Sequence, residues 1–388
     1  MESIFKRYFK GDRVIWLIVV MLSLISLLAV YSSTGSLAYR YQGGNTAYYF
    51  LKQFSFLGAG LMVIFLVHLI HYKVYSPIAP LLLYVAIPLL LVTLLFGTNI
   101  NQAARWLEIP GLGITIQTSD FAKLALIIYI ARLLSLRQNE IKDIKKTFLQ
   151  LTIPIALVCL LILPANFSTA AMLGGTCWIM LFIGRVSLKY LFGFTAIGVV
   201  AIGLFVVIAL QTNTVSRVQT WKNRIENYAS AEGGENYQAQ QSKIAIATGG
   251  FIGKGPGNST QRNFLPHPYS DFIYAIIVEE YGLAGGIVIL FLYMVLLFRA
   301  GIIVKNAKRT FPAFLAIGLT LILVFQALIN MAVAVNLMPV TGQPLPLVSM
   351  GGTSLLFSSA SFGILLSISR TQNKEELFDG EEESADNN

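Results

Sequence analysis

Apolar runs long enough to cross a lipid bilayer recur along almost the whole of this chain, and they leave it few folds to choose from. Each holds about 18 to 25 residues, which at 1.5 Å per residue matches a hydrocarbon core about 30 Å thick. Ten spans are expected, near 14–34, 50–70, 77–97, 119–136, 148–165, 167–183, 190–210, 271–298, 311–337 and 349–369. Between the fifth and sixth, "LILPANFSTAAML" reads as a tight hairpin because Pro164 and Asn166 interrupt the apolar run. Composition agrees: of 388 residues 55% are hydrophobic and 12% charged, about half the charged share of a soluble domain. The fold class that follows is an all-α integral membrane protein of about ten transmembrane helices.

Lysine and arginine set the orientation. They cluster before the first span in "FKRYFKGDR", and after the fourth, sixth, eighth and tenth. With an even number of spans these all fall on one side, which the positive-inside rule makes the cytoplasm, termini included. The net charge of +9 is therefore assigned to orientation and to contact with anionic membrane lipid, not to nucleic acid. The first span follows a basic segment but shows no clear small-residue cleavage pattern, so it reads as a retained helix. Residues 1–370 form one polytopic membrane domain in this reading. Residues 371–388, acidic and without an apolar period, read as a disordered cytoplasmic tail. Cys159 and Cys177 lie within spans as packing residues, and His68, His71 and His267 form no metal triad.

Two outer loops exceed what a connection needs. The first, 97–119, carries Arg105 and Trp106; the second, about 211–270, is the one large extramembrane segment between the seventh and eighth spans. The second contains Trp221, Tyr228, Tyr237 and Phe251, a short helical pattern in "YQAQQSKIAIATGG", and a middle, "ASAEGGENY", expected to be mobile. Its glycine-dense "GGFIGKGPG" is open to two readings, a flexible turn or a backbone nest for a pyrophosphate; the Lys-Ser or Lys-Thr ending of a nucleotide loop is missing. A third outer segment, 336–354, is broken by Pro339, Pro344 and Pro346 and then given Gly351 and Gly352. It reads as re-entrant or cavity-lining backbone.

Charged residues at membrane depth need a reason. Asp271 opens the eighth span in "FLPHPYSDFIYAIIVEEYG"; it is either a carboxylate satisfying the helix dipole or a partly desolvated general base. Residue chemistry alone leaves these even. Glu279 and Glu280 lie about 12 Å deeper on an ideal helix, Glu279 about 80° round from Asp271 and Glu280 nearly opposite. Burial of such charges favours structural pairing inside the bundle. Asp120 and Lys123 share a helix face at the start of the fourth span, as an ion pair or with Lys123 turned to an anionic substrate. The outer side also offers Arg105, Arg217, Lys222, Arg224, Lys243, Lys254 and Arg262. That inventory suits a lipid-linked substrate whose pyrophosphate leaves under cationic stabilisation.

Three stretches carry a family resemblance: "QAARWLEIPGLGITIQTSDFAKL", "AIATGGFIGKGPGNSTQRNFLPHPYSDFIYAIIVEEYGLAG" and "NLMPVTGQPLPLVSMGGTSLL". In order and spacing they resemble the signature loops of the SEDS family (shape, elongation, division and sporulation), over about 14–370. The resemblance implies ten transmembrane helices, a large outer loop between the seventh and eighth, and polymerisation of lipid II into peptidoglycan glycan strands. It implies an acceptor lipid II, a lipid-linked growing chain and expelled undecaprenyl pyrophosphate. Implied partners are a class B penicillin-binding protein and other divisome membrane proteins at the inner membrane. The essential aspartate of the family's "TDFIF" motif corresponds to Asp271, which makes Asp271 the expected catalytic residue. Lys123, Arg105, Trp106, Arg262, Lys254 and Ser349 are expected at the substrate, with Asp120, Glu279, Glu280, Pro339 and Pro344 structural or lining the cavity. The N-terminal span and the "RNFLPHPYSDF" loop resemble the FtsW division branch more than the RodA elongation branch.

The chain also departs from the family pattern. Asn263 stands where an acidic residue is usual, "QTSD" replaces "QPSE", and "PANFST" replaces "QPDLGT". Asp271 is thus nearly alone in its loop. A divalent cation such as Mg or Mn remains a possible cofactor, weakened by that isolation, and no protein metal site is expected. The rival readings are a lipid II flippase, which needs a polar path through Glu279, Glu280 and Lys123, and a noncatalytic divisome scaffold.

Overall fold

In the computed structural model the described residues are 10–41, 43–100, 103–109, 114–140, 147–212 and 237–386. Their helices in chain order are α1 (Arg13–Ser33), α2 (Gly35–Tyr41), α3 (Thr46–Leu69), α4 (Tyr75–Phe96), α5 (Thr118–Leu136), α6 (Leu149–Ile162), α7 (Phe167–Ile183), α8 (Leu188–Thr212), α9 (Tyr237–Gly249), α10 (Ile273–Lys305), α11 (Thr310–Ala334) and α12 (Thr353–Asp386). All but the short α2 and α9 fall on the ten expected spans. Five of the helical segments are long and apolar enough to cross a membrane outright, and α6, α7 and the Leu188–Ala201 part of α8 are shorter apolar helices. This is a multi-pass helical membrane protein.

Local chemistry sets the ends. Asp12 caps α1, its Oδ1 accepting from Val14 N at 2.8 Å and Ile15 N at 3.3 Å, and its other oxygen holds Arg299 at 2.5 Å. The expected hairpin joins α6 to α7: Asn166 N donates to Ile162 O at 2.8 Å, and Asn166 Oδ1 then caps α7 by accepting from Thr169 N at 3.3 Å. Satisfying these terminal groups matters more in lipid than in water, because no solvent can replace the partner. Beyond residue 370, α12 does not stop where the sequence ends the last span. Its backbone runs on as helix to Asp386, through a stretch of Lys and Glu, which favour helix.

The first long outer loop is not irregular. It folds into a three-stranded antiparallel sheet, β1 (Thr98–Ile100), β2 (Ala103–Ile109) and β3 (Ile114–Gln117), ordered β1-β2-β3. Trp106 faces Thr98 on one side and Gln117 on the other. Since Gln117 is followed directly by α5, the sheet fixes β2 beside the head of that helix. In the second loop the helical pattern is α9, as expected; Trp221, Tyr228, Arg217, Lys222, Arg224 and most of "ASAEGGENY" lie outside the described residues. The segment 336–352 is non-helical and largely buried over 343–349.

Candidate active site

Asp271 lies outside the helix it precedes. The N-cap of α10 is Phe272, whose own side chain makes no capping hydrogen bond. It is half-buried, and Ser270 Oγ donates to its Oδ1 at 3.0 Å.

Beside it lies the unwound segment after α11, which bonds the backbone just ahead of Asp271. Its carbonyls would be orphaned at this depth without side-chain donors. Asn330 Nδ2 donates to Gln343 O and to Asp271 O, both at 2.8 Å, and Gln326 Nε2 donates to Pro344 O at 2.8 Å. Ser349 Oγ donates to Ser270 O at 2.6 Å and accepts from Leu345 N at 2.8 Å. Ser349, expected from sequence at the substrate, therefore spends its hydroxyl on backbone. Pro339 and Pro344 are half-buried in this segment.

Asp120 and Lys123 form an ion pair of 2.7 Å between buried side chains, and Lys123 Nζ also donates to Gln326 Oε1 at 3.0 Å. A narrow cleft opens here, lined by Asp120, Lys123, Gln326 and Ser358 together with the apolar Leu124 and Phe357. The second oxygen of Asp120, buried in it, has no hydrogen-bond partner among the described residues. Arg105 and Trp106 sit on β2, and the β2–β3 register pairs Trp106 with Gln117, whose Nε2 donates to Ser119 Oγ at 3.2 Å. Asp120 follows Ser119 in the chain, so the sheet sits close to the ion pair.

Other expected cations face protein partners. Lys254 is paired with the fully buried Glu279 at 2.6 Å. Glu279 also takes Thr260 N at 3.1 Å, Thr260 Oγ1 at 2.9 Å, Gln261 N at 3.2 Å and the Ser259 hydroxyl. Glu280 accepts from the Ser32 hydroxyl and from Ser259 N at 3.3 Å. Arg262 Nη1 donates to Ser32 O at 2.9 Å. These residues fasten the loop ahead of Asp271 to α1 and α10.

The glycine-dense turn is a backbone joint. Gly253 N, Lys254 N and Gly255 N donate to Gly249 O, Glu279 O and Glu280 O at 2.8, 3.0 and 2.9 Å, so these amides are not open to a phosphate. α10 breaks at Gly282 (φ +70°), where a Cβ would stand 2.2 Å from Phe251 O; one on Gly253 would stand 2.3 Å from Glu280 O. Sequence reasoning missed this joint. It also missed Gln326 and Asn330, although two amides four residues apart inside an apolar run were the signal for them.

The FtsW/RodA/SpoVE cell cycle protein family matches residues 12–374. The chain belongs to this family. Stage V sporulation protein E of Bacillus subtilis is 32% identical over 92% of this chain and 97% of its own length. A probable peptidoglycan glycosyltransferase FtsW from Trichlorobacter lovleyi is 34% identical over 92% and 93%. Among solved structures, a chain described under "structural coordination of polymerization and crosslinking by a peptidoglycan synthase complex" superposes with a TM-score of 0.72 at 25% identity, covering 93% of this chain and 98% of that one. The rod shape determining protein RodA of Thermus thermophilus gives a TM-score of 0.67 at 22% identity, over 94% and 99%; it shares the fold.

Proposed function

We propose that this chain is a peptidoglycan glycosyltransferase that polymerises lipid II at the outer face of the cytoplasmic membrane, with both termini in the cytoplasm and its place at the division septum. The observation that carries this is Asp271: a half-buried carboxylate just ahead of α10, its backbone bonded from α11 and from the unwound segment, in a member of the FtsW/RodA/SpoVE family.

Its carboxylate removes the proton from the 4-hydroxyl of the acceptor sugar. The oxygen bonds to the anomeric carbon of the growing chain, and the bond to undecaprenyl pyrophosphate breaks, its electron pair leaving with the pyrophosphate. Positive charge must meet the charge that develops there. Lys123, which lines the cleft beside its partner Asp120, and Arg105 on β2 are the cations for that role.

Among the described residues 237–271, Asp271 is the one carboxylate that this loop offers a divalent cation. Among the described residues no three His, Cys, Asp or Glu side chains are grouped to hold a metal, and Asp120 and Glu279 are each tied to a lysine. The described residues do not fit a cage of protein ligands. A class B penicillin-binding protein that crosslinks the product is the partner that fits this role, with other divisome membrane proteins around it.

The test is polymerisation of labelled lipid II by the purified protein with its class B partner, wild type against Asp271→Asn, on a polymer-resolving gel. A ladder from wild type alone supports the reading. If both lanes stay empty while lipid II crosses vesicle membranes, the protein is a transporter instead.

A further inference from the structure

Asp271 does not owe its position to α10. The helix begins two residues later, and its first carbonyl bonds, from Ala275 N and Ile276 N, go to Phe272 O. The carbonyls before Phe272 are held by a different part of the chain. Tyr269 O accepts from Met350 N at 2.9 Å, Ser270 O from Ser349 Oγ at 2.6 Å, and Asp271 O from Asn330 Nδ2 at 2.8 Å. Three successive carbonyls are thus clamped from the 349–350 turn and from α11.

We propose that Ser349 and Asn330 are positioning residues of the polymerisation reaction, which fix the backbone on both sides of the Asp271 side chain and so set where its carboxylate stands. This rests on the reading of Asp271 as the base.

Both clamps are themselves immobilised. Asn330 is 1% exposed, and the two hydrogens of its amide nitrogen are spent on Asp271 O and Gln343 O. Ser349 is 2% exposed; its one proton goes to Ser270 O and a lone pair takes Leu345 N. The turn presenting Ser349 contains Leu347 at φ +61°, a conformation unfavourable for a residue with a branched side chain. Tyr293, buried in α10, helps to hold it through its hydroxyl, which donates to Pro346 O at 2.5 Å. Strained backbone kept in place by several independent bonds makes a rigid mount, and a base displaced by about 1 Å can lose about 10²-fold in rate.

The experiment measures steady-state lipid II polymerisation by the full chain with its class B partner. Ser349→Ala and Asn330→Asp, which removes both amide donors at constant shape, are each made in the wild-type and in the Asp271→Asn background. In the wild-type background kcat is expected to fall about 10- to 100-fold with KM unchanged, and Ser349→Thr, which keeps the hydroxyl, is expected to retain most of the rate. In the Asp271→Asn background neither substitution should lower the residual rate further, because the group they position is already gone. A merely structural role lowers both backgrounds by the same factor, and that result overturns the positioning assignment while leaving Asp271 as base. Full activity of Asp271→Asn alone overturns the base and the positioning together. If Ser349→Ala fails to fold, Asn330→Asp carries the same cycle.

Discussion

Gln326 and Asn330, one turn apart on α11, donate to the adjacent carbonyls of Pro344 and Gln343, each at 2.8 Å. The same two amides reach in opposite directions, Gln326 to Lys123 at 3.0 Å and Asn330 to Asp271 O at 2.8 Å. One helix turn therefore joins the expected base, the expected cation and the unwound segment between them. Spacing of four residues puts both side chains on one face, and lipid leaves the unwound carbonyls no other donor.

Removing one of those amides orphans groups on two sides. Gln326→Leu strands Pro344 O and takes from Lys123 its second acceptor, and each buried unpaired group costs about 1 to 3 kcal/mol. The thermal transition of the purified protein in detergent should fall by several degrees. A transition unchanged from wild type would mean that the amide bonds are not made.

Asp271→Glu separates the carboxylate from its placement. It keeps the acid but moves it by one methylene, so its polymerisation rate should lie between wild type and Asp271→Asn, which loses at least the 10²- to 10⁴-fold that a general base contributes. Equal rates for Glu and Asn would show that position matters as much as charge; equal rates for Glu and wild type would remove the geometric argument.

Lys254 and Glu279 should behave as a structural pair. Glu279 has five donors and lies at 0% exposure, so Glu279→Ala leaves Lys254 and the 259–261 turn without their acceptor and should cost about 3 to 5 kcal/mol, as for other broken buried pairs. Lys254→Met should cost less, because its side chain is 27% exposed. Neither change should alter KM for lipid II in the protein that remains folded. A raised KM in Lys254→Met would return that lysine to the substrate.

The ten spans were legible because length and apolarity are the whole signal for a helix in lipid, and Pro164 with Asn166 announced the one tight hairpin. The pairing of Glu279 was legible from the cost of burying it, though its partner was not, since Lys254 is 25 residues away in sequence. The sheet over 98–117 was hidden: its strands hold 3, 7 and 4 residues, too few for alternation to stand out beside such long apolar runs. Ser349 could not be read as a clamp, because a serine between Pro346 and Gly351 gives no direction for its hydroxyl. Asp271 was singled out by its motif, while the bonds to its own carbonyl and to that of Ser270 come from residues 59 and 79 positions further along.

The joint between the glycine turn and the broken helix gives the sharpest contrast between neighbours. Gly250 and Gly282 both have positive φ, +56° and +70°, but an added Cβ meets nothing within 4 Å at Gly250 and lies 2.2 Å from Phe251 O at Gly282. Gly250→Ala should therefore cost only the left-handed penalty of about 1 to 2 kcal/mol. Gly282→Ala must also push two backbones apart, breaking the bonds from Lys254 N to Glu279 O and from Leu283 N to Gly250 O. It should prevent recovery of folded protein, or release the loop ahead of Asp271 so that protease cuts there while Gly250→Ala stays resistant. Equal protease resistance in the two variants would mean that the close approach of these backbones does not hold the loop.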